Sequence, residues 1–573
     1  MILQALNEYY EALASQGKIA HPGWAKAKIS WALCISENGN LEQVVPLLEE
    51  TEGKKPQSQQ FELPAPVKRT SGIAPNFLWD NSSYMLGVDA KGKPTRSVEC
   101  FRASVQLYHT LLDDVDSIEA KAILSFFDNW QPEKAADNPA LLASLDKILT
   151  GTNLLFRING VYAHERSEIR RAWQDFYNKI EGEHQQCLVT GKPDVIEPVH
   201  PSIKGVDGAQ SSGAAIVSFN APAFCSYGKD QSLNAPVGKS AAFAYTSALN
   251  YLLADRKNVQ KIGDTTVVCW AEGGEEQYRD FGMWAIFGVQ PPDGLTEDDI
   301  RYAVRKLANG LPCPDLDLES SRPFYILGIA PNAARLSVRF FYRDSFGNLM
   351  KNVNAHHERM EIVRPSFDQY ETIPLWAMLS ETVNMKSRDK TPSPVMAGAT
   401  ARAVFADSPY PAALLESTML RIRAEREITR GRAAIIKAYY LRSPNEECPK
   451  EVLTVALNEN STNIAYTLGR LFSVYEAVQK SANPGGINST IKDKYFNSAS
   501  SNPASIFPIL DNLCQKHLRK LDTGWRIRYD KQITQLKGIL GEEYPLRQTL
   551  PQQGSFNLGY YHQKQKLYEK KED

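Results

Sequence analysis

Two hydrophobic periods alternate along this chain of 573 residues. Apolar side chains at a period of two predict strands, and those spaced by three and four residues predict helices. The strand patterns lie at 31–35, 154–158, 265–270, 324–329 and 335–342. The helical patterns lie at 1–17, 97–149, 296–310, 412–441, 449–457, 461–481, 505–519 and 524–541. Because every strand pattern precedes residue 345, the carboxyl-terminal part is predicted to be helical alone.

Local signals support this pattern at three places. Thr296 precedes an acidic first turn and Gly310 follows the last periodic residue, as in a capped helix. The segment 331–334 separates two strand patterns and predicts the turn of an antiparallel hairpin. A polar stretch at 51–60 predicts a loop.

The predicted fold class is α+β, a mixed α/β amino-terminal body with antiparallel strands followed by a carboxyl-terminal helical bundle. The body is predicted over 1–385. Proline and charged residues are frequent in 386–411, as is typical of a linker. The bundle is then predicted over 412–573.

Composition narrows the class of protein. A formal net charge of −1 argues against a uniformly basic nucleic-acid coat, so any DNA contact must come from local clusters. Eight cysteines are scattered without a Cys-x-x-Cys pair, and neither a zinc site nor a disulfide framework is expected. No apolar run approaches the roughly 20 residues that cross a bilayer, and no signal peptide is recognised. A cytoplasmic protein is therefore expected.

Two polar segments, 66–87 and 204–220, have the residue types that bind phosphate and base edges. Lysine and arginine neutralise phosphates, hydroxyls donate to phosphate oxygens, and asparagine and glutamine offer both a donor and an acceptor. Phe77, Trp79 and Tyr84 can anchor the first segment or stack on bases. Solvated turns have similar compositions, so the residue types alone leave both interpretations open.

A third cationic stretch lies at 421–442, where seven Lys and Arg residues accompany only two acidic ones. Arg423, Arg426 and Arg430 are spaced by three and four residues. This spacing predicts one helical face that can follow a phosphate backbone, with a solvated helix face as the alternative.

Three enzyme-like motifs are incomplete. The segment 238–240 resembles the end of a phosphate-binding P-loop, but the first glycine would stand at Leu233. Gln210 lies where a nucleophile elbow requires serine. His357 and Glu358 lack the second histidine that a zinc protease helix carries four residues after the first. None of these three motifs therefore indicates an enzyme active site.

Several stretches resemble the Csd family, the large subunits of the type I-C CRISPR surveillance complex, Cascade. The similar stretches are 1–10, 66–87, 200–250, 262–272 and 335–340, and they include Val217-Ser-Phe-Asn220, Ser226-Tyr-Gly-Lys229 and Leu233-Asn-Ala-Pro-Val237. The resemblance runs over most of the chain and is specific to this family.

The resemblance implies a non-catalytic DNA-binding subunit of an antiviral defence complex. Such a subunit recognises the protospacer-adjacent motif (PAM) in target double-stranded DNA, promotes opening of the duplex into an R-loop, and recruits a separate helicase-nuclease. The implied partners are CRISPR RNA, the target duplex and its displaced strand, the Cascade backbone and guide-processing subunits, and free small subunits that match the carboxyl-terminal region. No membrane partner, metal or cofactor is expected.

The candidate DNA-binding residues share a cationic, amide or hydroxyl side chain in one of these segments. They are Lys68, Arg69, Thr70, Ser71, Asn76, Lys204, Gln210, Ser211, Ser212, Asn220, Lys229, Asn234, Arg423, Arg426 and Arg430. Tyr227 and Phe77 are candidates for stacking. Two other functions stay open: a metal-dependent nuclease whose acidic residues meet only in the fold, and an architectural subunit that contacts only protein and RNA.

Overall fold

A computed structural model gives the positions of the helices and strands. It describes residues 1–49, 57–67, 72–89, 94–179, 182–288, 294–368, 370–384, 386–388 and 390–569. The strands are β1 (Trp24–Ile29), β2 (Trp31–Ile35), β3 (Leu41–Pro46), β4 (Leu48–Glu49), β5 (Gln57–Pro64), β6 (Trp79–Asn81), β7 (Asn153–Ile158), β8 (Val161–Tyr162), β9 (His184–Gln186), β10 (Pro193–Val195), β11 (Gln260–Ile262), β12 (Thr265–Ala271), β13 (Pro323–Asn332) and β14 (Arg335–Ser345). The helices are α1 (Ile2–Ser15), α2 (Ser82–Met85), α3 (Pro94–Leu112), α4 (Ile118–Asn129), α5 (Leu145–Ile148), α6 (Ser167–Asn178), α7 (Lys239–Ala254), α8 (Glu276–Phe287), α9 (Glu297–Ala308), α10 (Phe346–Met360), α11 (Leu375–Ser380), α12 (Pro394–Phe405), α13 (Ala412–Glu425), α14 (Arg430–Arg442), α15 (Ile464–Ser481), α16 (Ile491–Ser501), α17 (Pro503–Leu518), α18 (Thr523–Leu540) and α19 (Leu550–Tyr568).

The chain forms two compact units. The large unit contains 1–9, 201–218 and 249–573, and the small unit contains 10–200 and 219–248. Strands are found in both units, whereas the described residues after β14 form helices and turns. This confirms the predicted α+β class with a carboxyl-terminal helical region.

The small unit is built on a mixed five-stranded sheet in the order β3-β2-β7-β6, with β8 beside β7. The β2–β7 pair is parallel and the others are antiparallel. Helix α4 covers this sheet, where Phe126 and Phe127 pack on Phe156 of β7 with ring centroids 5.3 and 5.6 Å away. The predicted strands 31–35 and 154–158 are confirmed.

A second, three-stranded sheet of the small unit has the order β1-β5-β4. Strand β5 begins at Gln57. Its residues 59–64 pair antiparallel with the whole of β1, from Ile29 back to Trp24. The predicted loop over 51–60 is therefore wrong for residues 57–60, because pairing with a partner distant in sequence overrides their polar composition. Residues 51–56 of that prediction lie outside the described residues.

The large unit is built on an antiparallel sheet in the order β11-β12-β13-β14. Every residue of β12 is buried, as expected for a central strand rich in threonine and valine. The predicted hairpin is confirmed, since Asn332 pairs with Arg335 across a two-residue turn. The predicted cap of α9 is also confirmed, with Thr296 and Asp299 bonding each other's backbone N–H.

The compact units do not divide at the predicted linker 386–411. Helix α12 lies within this stretch, and its Phe405 ring is 5.9 Å from the Phe340 ring of β14. One hydrophobic core runs from Ile262 of the sheet to Tyr561 of the last helix. Helix α12 thus joins sheet and helices, and proline at its first position is compatible with helix.

The carboxyl-terminal helices follow the predicted ones only in part. Helices α15, α17 and α18 are confirmed, and 412–441 forms two helices, α13 and α14. The helix predicted over 449–457 is wrong, because only a short 3-10 turn at 450–452 forms there. Helices α16 and α19 were not predicted.

Helices α15 and α19 cross at two glycines. A Cβ atom on Gly469 would lie 1.9 Å from the Phe556 carbonyl oxygen, and one on Gly559 would lie 2.1 Å from the Tyr466 carbonyl oxygen. The two backbones therefore touch, and only glycine permits this distance. The crossing fixes the last helix in the core.

We expect Gly469→Ala to lower the free energy of unfolding by about 1–3 kcal/mol, because the helices must separate to admit the methyl group. Urea denaturation of the purified chain measures the change. Gly538→Ala is the matched control, since Gly538 is an exposed residue of α18 with no heavy atom within 4 Å of the added Cβ. Alanine there should leave stability equal or raise it by up to about 1 kcal/mol. Equal effects of both changes would contradict the proposed crossing.

Three buried histidines each pair with a tyrosine. The Nδ1 atoms of His200, His356 and His562 lie 2.6–2.8 Å from the hydroxyls of Tyr245, Tyr410 and Tyr466, respectively. Each Nε2 is buried with no hydrogen-bond partner in the described part of the chain. Burial lowers the pKa of His200 and of His562 to about 4 and holds that of His356 well below its ordinary value. The folded chain therefore keeps these rings neutral.

We expect acid to destabilise the fold through these rings. Between pH 6.5 and about 4 the unfolded chain binds a proton at His562 that the folded chain does not, so stability is lost as the pH falls through this window. From pH 7.5 to pH 5 the loss from one such histidine is on the order of 2 kcal/mol. His562→Gln should reduce the difference between the urea midpoints at the two pH values. An unchanged difference would show that His562 is not the titrating group.

Candidate nucleic-acid interface

The segment 203–214 forms a closed loop in the large unit, which we name the 203–214 loop. Ile203 and Ala214 exchange both backbone hydrogen bonds at its base, each 2.9 Å long. The Asn250 side chain accepts from the Lys204 backbone N–H at 2.8 Å and donates to a carbonyl at the base at 3.1 Å. The base is therefore fixed through its backbone, while the Lys204 side chain is exposed.

The tip of this loop is polar and exposed. The side chains of Gln210, Ser211 and Ser212 are uncharged and exposed to solvent. The chain returns through Gly213 at a φ of +95°, where a Cβ atom would lie 2.8 Å from the Ile203 carbonyl oxygen. A tight return thus presents one amide and two hydroxyls to solvent.

The carboxylate of this loop, Asp207, already has a cationic partner. Asp207 forms an ion pair with Lys261, whose hydrogen bond and charge lower the pKa of Asp207. The Asp207 backbone N–H donates to the Thr266 hydroxyl of β12 at 3.1 Å. Asp207 therefore helps to hold the loop on the sheet. Lys261 offsets the negative charge of Asp207, which would otherwise repel an anionic ligand.

A second loop, the 219–234 loop, belongs to the small unit and is organised by Asn234. The Asn234 Oδ1 accepts from the Ser226 N–H at 2.8 Å, and its Nδ2 donates to the carbonyls of Lys229 and Gln231 at 2.9 Å. Because this one amide already forms three hydrogen bonds to the backbone, it has little hydrogen-bonding capacity left for a base. Asn234, predicted to read DNA, is therefore better interpreted as the residue that positions this loop.

Tyr227 forms the tip of the 219–234 loop and is 99 % exposed. Its φ of +55° is in the left-handed region, which bulky residues rarely adopt, and Gly228 follows at +68°. Lys229 and Asn220 are exposed in the same loop. An aromatic ring held outward by a strained backbone next to a cation is suited to stacking on a base.

A cavity of about 430 Å³ lies beside the 219–234 loop in the small unit. Its apolar walls include Val195 and Leu233, and its polar groups include Glu197 and Lys239. Burial raises the pKa of Glu197, against the opposing effect of Lys239. Such a lining suits an uncharged flat group better than a phosphate.

The 66–87 segment differs from its prediction. Asn76 is only 5 % exposed, and its Oδ1 accepts from the Val67 N–H at 2.9 Å. Phe77 is buried and stacks on Trp173 with ring centroids 5.6 Å apart. Both residues thus hold the segment on the core, which corrects the prediction that Asn76 reads DNA. The predicted residues that lie outside the described ones are Lys68, Arg69, Thr70 and Ser71.

Arg423, Arg426 and Arg430 do not share a helical face, which corrects their prediction. Helix α13 ends at Glu425 and is followed by Arg426 with a φ of +56°, and α14 begins at Arg430 after the Thr429 cap. Arg430 is 8 % exposed and donates to the Asp368 carboxylate at 2.9 Å. Arg423 is exposed but donates to Gln553 at 2.8 Å. Residue spacing alone cannot reveal this break between the two helices. The residue that follows α13 in the left-handed conformation is Arg426, and not the glycine that usually indicates a helix end.

The P-loop-like segment 238–240 is closed to phosphate. The Asp194 carboxylate accepts from the Ser240 N–H at 3.3 Å and from its hydroxyl at 2.5 Å. A Cβ atom on Gly238 would lie 2.2 Å from the same carboxylate. The beginning of α7, where a P-loop holds phosphate, is thus occupied by an internal anion.

The structure therefore groups the predicted residues by unit. Lys204 and 210–212 share the 203–214 loop, and Asn220, Lys229 and Asn234 share the 219–234 loop. Their binding of DNA stays a prediction. Asn250, which anchors the first loop from α7, was not predicted, since nothing in its neighbourhood distinguishes it from an ordinary helix residue.

The described residues contain no group of three or more His, Cys, Asp or Glu side chains that can hold a metal ion. None of their helices combines the length and the apolar character needed to cross a bilayer.

Comparison with known proteins identifies the family. A search of curated proteins finds no match. Residues 6–568 match the family model described as CRISPR-associated protein (Cas_Csd1). The match covers nearly the whole chain and confirms the resemblance to the Csd family of Cascade large subunits. The chain therefore belongs to the Cas_Csd1 family of CRISPR-associated proteins.

Proposed function

We propose that the chain is the non-catalytic large subunit of a type I-C surveillance complex. In this role it recognises the PAM of target double-stranded DNA, promotes opening of the duplex, and leaves cleavage to a separate helicase-nuclease that it recruits. Family membership supports a CRISPR-associated role. The finer assignment rests on the resemblance and on the two exposed loops.

The observation that carries this proposal is the construction of the 219–234 loop. Asn234 fixes the loop from within, so that Tyr227 projects at full exposure beside Lys229. Keeping a tyrosine ring in solvent at a positive φ costs stability and contributes no core packing. A role in binding explains this conformation, because the ring is available to a partner without rearrangement.

The two loops suit successive steps of target recognition. Gln210 can read a base edge in the PAM, and Lys204 can hold the phosphate backbone. Tyr227 can then stack on an unpaired base and stabilise the first open position, with the neighbouring cavity as a receptor for an uncharged base. Pairing with the guide RNA supplies the free energy for further opening.

The proposed partners follow from the same resemblance. They are CRISPR RNA, the Cascade backbone and guide-processing subunits, the displaced strand, and free small subunits similar to the carboxyl-terminal helices. The proposed location is the cytoplasm. The proposed partners and location rest on the resemblance and not on the two loops. Assembly of the complex tests the proposed partners.

We expect Gln210→Ala to reduce PAM discrimination by roughly tenfold, since one bidentate base contact is worth about 1–3 kcal/mol. Gel shifts of the assembled complex compare a target duplex carrying its native flanking motif with one carrying a scrambled motif. Lys204→Gln should weaken binding of the complex to both duplexes equally, because a phosphate contact carries no sequence information. Gln106→Ala, on the exposed part of α3, is the matched control.

Unchanged discrimination in Gln210→Ala complexes of normal assembly, together with unchanged affinity of Lys204→Gln complexes, would contradict PAM reading by this loop and favour an architectural subunit. The wild-type chain, incubated with plasmid DNA and Mg²⁺ or Mn²⁺, should leave the plasmid intact. Metal-dependent cutting by the isolated chain would instead support the nuclease alternative.

We expect Tyr227→Ala to slow duplex opening by roughly fivefold or more while leaving capture of the PAM duplex intact, because stacking of one base is worth about 1–3 kcal/mol. Fluorescence of 2-aminopurine, placed in the first base pairs beside the PAM, measures opening by the assembled complex. Tyr227→Phe keeps the ring and should open DNA normally. Asn234→Ala should resemble Tyr227→Ala, since the ring loses its support. Normal opening by Tyr227→Ala would exclude Tyr227 from this step.

A further inference from the structure

A cleft in the large unit, which we name the aromatic cleft, lies outside both loops. Its walls come from α8, α11, α14, α15, α19 and the segment 365–374. Phe367, Tyr370 and Trp376 line it and are 85, 76 and 57 % exposed. Large apolar side chains grouped in this way are unusual on a free surface, and aromatic rings are enriched where proteins contact each other. The aromatic cleft is therefore a candidate contact surface.

The backbone that carries two of these rings is fixed by the buried Arg430 side chain. Its guanidinium donates to the Asp368 carboxylate at 2.9 Å and to the carbonyls of Tyr370 and Glu371. The other Asp368 oxygen accepts from the Tyr370 N–H at 3.0 Å. A partner would therefore meet rings on an ordered segment, which reduces the conformational entropy lost on binding.

Lysines line the side of the cleft that α15 and α19 form. Lys480 pairs with the buried Glu476 carboxylate at 2.7 Å, whereas Lys564 forms no ion pair in the described part of the chain. Burial and then the charge of Lys564 lower the pKa of the nearby Lys492. This side therefore keeps positive charge, which one anionic group of a ligand would offset.

Carboxylates line the other walls of the cleft. They belong to Asp368, Glu371, Glu381 and Glu427. The first three form ion pairs, in that order, with Arg430, Arg301 and Arg432. A phosphate chain lying along the cleft would approach several of these carboxylates, which disfavours a nucleic acid. The lining suits a ligand with one anionic group and not a polyanion.

The size of the cleft also restricts its occupant. Pockets for small molecules usually enclose about 300–1,000 Å³, and this cleft encloses about 1190 Å³. A short polypeptide segment suits such a volume, and it can supply both apolar anchors and a carboxylate. Size and charge together therefore favour a peptide as the ligand.

We propose that the aromatic cleft binds a segment of a partner protein that combines large apolar side chains with a carboxylate. The apolar side chains pack on the rings of Phe367, Tyr370 and Trp376, and the carboxylate contacts the Lys564 ammonium group. The rings supply most of the affinity, because well-packed aromatic contacts dominate protein interfaces and an exposed ion pair adds little. This contact is independent of PAM reading and requires neither the 203–214 loop nor the 219–234 loop.

Selection of random dodecapeptides displayed on phage, with the purified full-length chain as the target, tests the ligand class. Counter-selection uses the triple variant Phe367→Ser, Tyr370→Ser and Trp376→Ser, which should keep the wild-type urea midpoint because all three side chains are exposed. The recovered peptides should combine aromatic or large aliphatic residues with aspartate or glutamate. Recovery of basic peptides, or of none that distinguishes the two proteins, would overturn the proposed ligand.

Fluorescence anisotropy of the most enriched peptide, labelled with fluorescein, separates the rings from the charge. The triple variant should bind this peptide at least tenfold more weakly. Lys564→Gln should bind it about threefold more weakly at low salt, and Lys564→Arg should restore the affinity. The matched control replaces three exposed apolar residues elsewhere in the large unit by serine, namely Tyr302, Leu311 and Leu546. It should bind normally, and equal losses in the control and the triple variant would overturn the site.

Two further measurements distinguish this ligand from other occupants of the cleft. An unlabelled thymidine 20-mer should not displace the peptide, and displacement would show that the cleft binds nucleic acid instead. Sedimentation velocity should give the same species for the wild-type chain and the triple variant. Self-association that is lost only in the triple variant would show that a second copy of the chain covers the cleft.

The contact can also be separated from the proposed function. Gln210→Ala and Tyr227→Ala should bind the enriched peptide normally. Complexes assembled with the triple variant should discriminate the PAM and open DNA as the wild type does, so either function can fail without the other.

Discussion

The cost of taking a charge out of water decides which cations of this chain serve the fold. Arg430 is buried against Asp368, Arg432 against Glu381 and Glu425, and Lys437 donates to three carbonyls at the end of α10. Burial without these partners would cost several kcal/mol per charge. The same rule leaves an exposed, unpaired cation free to bind an anion. Burial thus separates cations that serve the fold from cations that are accessible to a ligand, although the two kinds look alike in sequence.

The polar loops follow a related rule for hydrogen bonds. Asn250 and Asn234 each use their side-chain amide on backbone groups, and each thereby holds a loop whose other side chains stay in solvent. A loop fixed in this way loses less conformational entropy when a ligand binds. The amides of Asn250 and Asn234 are therefore occupied in shaping these loops, although asparagine is one of the residue types expected to read bases.

The sequence predicts best where local chemistry decides the structure. The Thr296 cap, the hairpin at 331–334 and the hydrophobic strands follow from turn and burial preferences of neighbouring residues. It predicts less well where distant packing decides, as for β5, whose partner is β1, and for α12, whose apolar residues meet β14. Burial of Asn76 and of Arg430 likewise depends on residues far along the chain. Family membership could be recognised from sequence motifs, because recognising a motif does not require knowing which distant residues are in contact.

A nearly neutral chain can still have surfaces of strong charge, because its acids and bases are not evenly mixed. The buried side chains of Arg430 and Arg432 are matched by the carboxylates of Asp368, Glu381 and Glu425, so these groups leave no excess of positive charge at the surface. The turn between α17 and α18 keeps an excess of four positive charges over residues 516–531, since six cations there accompany two acids. At physiological salt the screening length is about 8 Å, so an anion at this turn senses the local cations far more than the acids elsewhere. Net charge therefore sets solubility and general adhesion, whereas the placement of unpaired cations sets where a polyanion binds.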